Sequence, residues 1–261
     1  MTEADLALAL ALADSADVIT QRWFRSADLD VETKADMTPV SVADREVERT
    51  LRSMIADKRP DHGVLGEEYG DTEAAGSARW IIDPIDGTKN YVRGVPVFAT
   101  LIALEVDGVL TLGVASAPAL GRRWWGVRGE GAWANGAPIS VSGTRRIDDA
   151  FLSSDSFDTF DRWDPSRADA FAALTKQCAR SRGFGDFWSH MLVAEGAIDI
   201  AVEPEVSYWD LAAVAVIVEA AGGRFTDLSG TARADGGSAL STNGLLHDDV
   251  LAVLSARGAV R

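Results

Sequence analysis

The chain has 261 residues, with 25 Lys+Arg against 40 Asp+Glu, a formal net charge of −15, 47% apolar residues and a single cysteine. That length buries a substantial core in one large domain or two closely joined subdomains, and so acidic a surface argues against nucleic acid or an anionic membrane as partner. Cys178 alone cannot close an internal disulfide, and with His62, His190 and His247 far apart no zinc site of His and Cys is expected.

The opening M-T-E-A-D is acidic, unlike the basic start of a signal peptide, and the Leu/Ala run at 6–13 is short and soon broken by Asp14 and Asp17. A soluble protein of a reducing compartment, the cytoplasm, is expected. Residues 3–24 read as a helix with a broad apolar face, and Thr38-Pro39 breaks the pattern. A second helix is expected from about Ser41 to Ala56, ended by Lys58-Arg59-Pro60. From Val64 to Val141 the periodicity is of β type. W-I-I-D (80–83) is an apolar run that stops at an acid, runs 98–106 and 109–117 flank the hairpin signal Asp107-Gly108, and runs 123–128, 131–134 and 138–141 follow. A mainly antiparallel sheet is the expectation. Beyond Asp148, helical patterns at 166–180, 187–197, 209–221 and 246–256 alternate with strand candidates at 151–154, 199–202, 224–226 and 239–241. The architecture predicted is α+β, a single catalytic unit over 1–261 in two tightly associated halves, 1–145 and 146–261.

Chemistry is concentrated in G-E-E-Y-G at 66–70 and W-I-I-D-P-I-D-G-T-K-N-Y at 80–91. An apolar strand delivers Asp83 at its carboxyl end, Pro84 stiffens the exit, and Asp86 follows close enough to face the same point across a turn. Gly87 permits close backbone approach, and Thr88 is placed to open a helix whose free N–H groups can receive a phosphate. A further acid, Asp210, opens the apolar helix of S-Y-W-D-L-A-A (207–213). Taken singly, D-P-x-D-G reads as an ordinary turn, Glu67 and Glu68 as surface charges and Asp210 as an acid at a helix start. Taken together, three acidic motifs bordered by apolar structure favour a site for hard cations, Mg²⁺ or Mn²⁺.

These motifs, in this order, resemble the inositol monophosphatase superfamily of Mg²⁺-dependent phosphatases. K-A-D-M-T-P-V-S-V-A-D at 34–44 and G-x-G-A-W-x-N-G at 129–136 extend the resemblance to nearly the whole chain. It implies an αβαβα layered sandwich, usually a homodimer, acting on a small phosphate monoester. It also implies one metal on Glu67, Asp83 and the carbonyl of Ile85, a second among Asp83, Asp86 and Asp210, and a weaker third on Glu67. The phosphate would rest on the N–H groups of Gly87 and Thr88. Asp44, Thr88 and Glu67 would orient the attacking water, with Asp86 and Asp210 also facing the substrate. Attack would be in line, without a phosphorylated enzyme.

Lys89 and V-R-G-V-P (92–96), S-A-P-A-L-x-R-R-W-W (116–125), R-G-F-G-D-F (182–187) and T-N-G-L-L-H-D (242–248) resemble the histidinol-phosphatase branch, which implies a step of histidine biosynthesis. Histidinol phosphate carries an ammonium and an imidazole, either of which an acid such as Asp186 could pair with, whereas an inositol ring offers only hydroxyls. Arg182 could contact the phosphate or merely pair with a nearby carboxylate. Trp188, next to this segment, is the tryptophan that could touch substrate, and His190 and His247 are assigned no role. The alternatives are an inositol-1-phosphate phosphatase or a broad-specificity enzyme with the same metal ligands and, remotely, a non-catalytic metal- or phosphate-binding protein.

Overall fold

The computed structural model describes residues 2–33, 39–72, 76–155, 160–161 and 165–255. Two helices open the chain, α1 (Glu3–Trp23) and α2 (Val42–Lys58), separated by a small hairpin of β1 (Val31–Thr33) and β2 (Pro39–Ser41). Each helix starts with a capping box, Thr2 with Asp5 and Ser41 with Asp44.

An eight-stranded sheet follows. Its strands are β3 (Gly63–Gly66), β4 (Gly70–Thr72), β5 (Ala78–Asp86), β6 (Ala99–Val106), β7 (Val109–Ala117), β8 (Arg122–Val127), β9 (Gly131–Ala134) and β10 (Ala137–Ile139), in the order β10-β9-β8-β7-β6-β5-β3-β4. All neighbours are antiparallel except β3 and β5. The two-residue period of the strands divides the apolar side chains between the faces. Trp80, Ile82, Ile102 and Val114 pack against Leu12, Val47, Leu51 and Ile55 of α1 and α2. Ile81, Leu101, Ala103 and Ala115 point the other way, onto α5 (Asp186–Ala194) and α6 (Tyr208–Ala220).

A five-stranded sheet covers the far side of α5 and α6. It consists of β11 (Phe151–Ser154), β12 (Arg180–Arg182), β13 (Ile200–Glu203), β14 (Arg224–Thr226) and β15 (Ala239–Thr242), in the order β12-β11-β13-β15-β14. Its outer face carries Leu152, Ile200, Val202 and Leu240 against α4 (Pro165–Gln177) and α7 (His247–Ser255). The layers run α1/α2, sheet, α5/α6, sheet, α4/α7, the expected αβαβα sandwich. Between two sheets the middle of α6 has no solvent face, and every residue from Leu211 to Val218 is buried.

Three local expectations differ from the structure. The strand through W-I-I-D does not stop at Asp83 but continues, with a register shift, to Asp86. The helix predicted over 166–180 ends at Gln177, and Arg180–Arg182 instead pairs in parallel with β11, where an edge strand offers open backbone groups. The run 138–141 contributes to the sheet only as far as Ile139. Among the described residues no helix is long and apolar enough to cross a membrane.

The seat of α6 is built from small residues. Ala103 pairs with Gly113, Gly113 with Gly126, and Gly126 with Ala132, which makes a track across β6 to β9. A Cβ on Gly113 would lie 2.3 Å from the Ala213 carbonyl oxygen, and one on Gly126 would lie 2.7 Å from Ile217 Cα. Helix backbone therefore lies directly on sheet backbone, and the separation of Asp210 from β5 depends on it. Gly113→Ala is expected to destabilise by about 2–3 kcal/mol, because backbone cannot repack around the added methyl. Thermal denaturation should show the loss as a fall of roughly 5–10 °C in Tm.

Candidate active site

Strand β5 builds the centre of the site through its irregularity. Asp83 lies opposite Leu101 and Asp86 opposite Ala99, so the stretch between them bulges. Proline fits there because no ladder N–H is required, and Thr100 Oγ1 donates to the Pro84 carbonyl at 2.8 Å. The Ile85 side chain is fully buried with Ala43, Tyr91 and Phe98. Asp83 Oδ1 accepts from Ile85 N at 2.9 Å, and Asp86 Oδ2 accepts from Phe187 N at 2.7 Å. Asp210 comes from the other half of the chain, held at the start of α6 as Ser207 N donates to its Oδ2 at 2.8 Å.

Carboxylate oxygens of Asp83, Asp86 and Asp210 thereby lie within 4.8 Å of one another. Burial raises the pKa of all three, and each is pushed further by neighbouring acids, Glu67 for Asp83, Asp186 for Asp86 and Glu67 again for Asp210, which reaches about 7. Asp83 and Asp210 are in hydrogen-bonding contact, which two carboxylates tolerate only around a shared proton or a cation. Among the described residues no Arg or Lys pairs with any of the three. Oxygen-only donors with unbalanced negative charge fit a hard divalent cation.

The cluster opens into a cleft of about 180 Å³ lined by Glu67, Asp83, Ile85, Asp86, Gly87, Thr88, Lys89, Asp186 and Asp210, with Pro39 at its edge. A larger hollow of about 410 Å³, beside Glu105, Arg128 and Tyr208, lies apart from the converging acids. Gly87 has φ +80°, and a Cβ there would meet the Val97 carbonyl oxygen at 3.0 Å, so the turn into α3 (Thr88–Val92) needs glycine. Thr88 Oγ1 is 2.8 Å from the Ile85 carbonyl oxygen and 3.4 Å from Asp44 Oδ1. Asp44 stands behind Thr88, fully buried, and burial lifts its pKa to about 6 against the hydrogen bonds from Ser41.

Asp186 opens α5 in the left-handed region, φ 49°, where a non-glycine residue is strained. Asn90 Nδ2 donates to its Oδ2 at 2.9 Å, fixing the carboxylate beside Gly87. Burial, then the charges of Asp155, Glu203 and Asp210, raise its pKa to about 7, with Lys89 opposing. Arg182 is not brought to the cleft; it is exposed on edge strand β12 and donates to the Ser181 carbonyl. Trp188 is half-buried against Phe184 and does not line the cleft.

Glu203 is an acid that sequence reasoning missed. It is buried at the end of β13, one oxygen takes His190 Nε2 at 3.1 Å, and the other, Oε1, has no hydrogen-bond partner among the described residues. Its charge acts on Asp86, Asp186 and Asp210. Its position in a short apolar strand, outside any acidic motif, gave no signal beyond its charge.

A carboxylate cluster at a bulged strand and a helix start, in an αβαβα sandwich, is the arrangement of a metal-dependent phosphatase. The chain belongs to the inositol monophosphatase family, whose profile residues 1–258 match. It is 53% identical to the histidinol-phosphatase of Mycobacterium tuberculosis over 98% of this chain and 100% of that one. It is 48% identical to the histidinol-phosphatase of Streptomyces coelicolor, over 97% of each. Among solved structures, extragenic suppressor protein suhB from Bartonella henselae superposes with a TM-score of 0.89 at 27% identity, covering 97% of this chain and 99% of that one. An inositol monophosphatase from Zymomonas mobilis gives 0.85 at 32% identity, covering 97% and 98%.

Because like charges are crowded for function, neutralising one should stabilise the cation-free protein. Asp83→Asn is expected to raise stability in EDTA by about 1–2 kcal/mol. The same variant should lose the Tm increase expected of the parent with a divalent cation and should release no measurable phosphate.

Proposed function

We propose that this enzyme hydrolyses L-histidinol phosphate to L-histidinol and phosphate, a step of histidine biosynthesis in the cytoplasm, as a homodimer with two or three Mg²⁺ ions that Mn²⁺ can replace. The observation that carries the substrate assignment is the half-buried carboxylate of Asp186, which lines the cleft and is held by Asn90 beside the phosphate-binding turn, with buried Glu203 acting on it. These acids lie beyond the metal-binding set, and they suit a cationic substrate better than a polyol. The histidinol-phosphatases of the two relatives favour the same reading.

Asp83, Asp86 and Asp210, with Glu67 and the Ile85 carbonyl, are the groups to hold the ions. Bound there, divalent cations supply charge neutralisation for the phosphoryl group and acidify a water. The N–H groups of Gly87 and Thr88 hold phosphoryl oxygens at the start of α3. Thr88 Oγ1 donates to the Ile85 carbonyl and can accept from a water, which it orients for in-line attack. Asp44, buried behind Thr88 with a pKa of about 6, sits in the range where a carboxylate can take up a proton near neutral pH. Asp186 pairs with the ammonium or imidazole of the leaving group, and Lys89 offers a cation at the cleft for the phosphate.

Phosphate release from histidinol phosphate and from myo-inositol 1-phosphate, measured side by side with Mg²⁺, should differ in kcat/KM by about 100-fold or more in favour of the former, ~2.7 kcal/mol. Asp186→Asn should erase at least about tenfold of that preference while sparing the inositol ester. Equal rates on the two esters would sink the substrate assignment, and no turnover of either would return the non-catalytic reading. Asp44→Asn is expected to lower kcat by about 100-fold or more. The cation-induced rise in Tm should be unchanged in that variant.

A further inference from the structure

Helix α2 presents two fully buried acids one turn apart, Asp44 and Glu48. Asp44 faces Thr88; Glu48 faces the turn that joins β3 to β4 and carries Glu67. Glu48 Oε2 accepts from Glu68 N at 2.7 Å, and Oε1 accepts from Tyr69 N at 3.2 Å and from Arg52 Nε at 2.8 Å. Arg52 continues the clamp along the hairpin, donating to the Val64 carbonyl at 3.3 Å, to Thr72 Oγ1 at 2.9 Å and to the Gly70 carbonyl. Gly66 makes room for the carboxylate, since a Cβ there would lie 2.0 Å from Glu48 Oε1. From the other side, Glu67 N donates to the Ile82 carbonyl of β5 at 3.3 Å.

We propose that Glu48, buttressed by Arg52, is a positioning residue for the cation site, fixing the Gly66–Tyr69 turn so that Glu67 faces Asp83. The chemistry of the contact requires a carboxylate of this length. Both oxygens accept, so an amide would turn a donor toward the N–H of Tyr69 or the guanidinium. Aspartate keeps the charge but falls about 1.5 Å short. Full burial keeps Glu48 itself from the substrate, so its influence passes through the backbone on either side of Glu67. The inference rests on the reading of Glu67 as a cation ligand.

The test is a titration of the substrate-free full-length enzyme with Mn²⁺, following free ion by electron paramagnetic resonance, at a temperature where each variant is folded by circular dichroism. Glu48→Gln and Glu48→Asp should each weaken Mn²⁺ binding by about tenfold or more. Glu46→Gln, which removes a charge from the outer side of the same helix where it pairs with Arg22, should leave binding unchanged. Weakening in Glu48→Gln with none in Glu48→Asp would make the effect one of charge and overturn the proposal, as would lowered Tm with parental Mn²⁺ affinity in both. If neither folds, Arg52→Lys carries the test: about threefold weaker binding is expected, because the fork that spans Glu48 and the hairpin is lost, and parental affinity overturns the proposal. Glu67→Gln separates the underlying reading. Unchanged binding in that variant removes Glu67 as a ligand, whereas weakened binding there beside unchanged Glu48 variants defeats the positioning role alone.

Discussion

Three carboxylates within 4.8 Å of one another in a buried setting repel, and among the described residues no Arg or Lys pairs with them. They are nevertheless forced together from distant parts of the chain, two on the bulged β5 and one at the start of α6. Each is tied to backbone, Asp83 to Ile85 N, Asp86 to Phe187 N and Asp210 to Ser207 N. Main-chain donors cannot swing away as side chains can, so the acids stay in place whether or not a cation is present. The cluster is a destabilised arrangement maintained by the sandwich around it, and that stored repulsion is what makes cation binding favourable there.

The surrounding acids are divided by the company they keep. On the α2 side, Asp44 and Glu48 are buried and hydrogen-bonded, one toward Thr88 and one toward the Glu67 turn. On the α5 side, Asp186 and Glu203 retain unused acceptor capacity beside the cleft. In the proposed reaction the first pair serves the geometry of hydrolysis. On the same proposal the second faces whatever lies beyond the phosphoryl group, which is where a cationic leaving group differs from a neutral ring.

Much of this was legible in the sequence because it is local. Asp83 to Thr88 announce a turn and a helix start through residue type alone, and Asp210 sits in a helix start that any apolar run of that length would show. The αβαβα fold and the partners of Asp44 came through resemblance, since no periodicity tells that a residue at 44 will meet one at 88. What escaped was long-range. The strand was expected to stop at Asp83 because the apolar run ends there in an acid, yet Asp86 recovers pairing with Ala99 after the bulge. Residues 180–182 look like a helix tail until β11 supplies a partner edge. Glu203 and Glu48 lie in ordinary strand and helix patterns, and only the folded chain reveals that one adjoins the cleft and the other supports the turn. Arg182 shows the converse, a residue close to Asp186 in sequence whose strand carries it to the exposed edge.

The track of Ala103, Gly113, Gly126 and Ala132 beneath α6 removes the side-chain layer that usually separates helix from sheet. Where such a layer exists, core substitutions are absorbed by small helix shifts, and the distances between residues on the two elements drift as sequences diverge. Here the spacing is set by main chain on main chain, which mutation cannot gradually adjust. The distance from Asp210 to Asp83 and Asp86 is thus close to a constant of the architecture, while the loop before α5 and the end of β13 are free of that restriction. One scaffold can accordingly exchange the organic part of its substrate through many small changes and keep the same hydrolytic centre throughout.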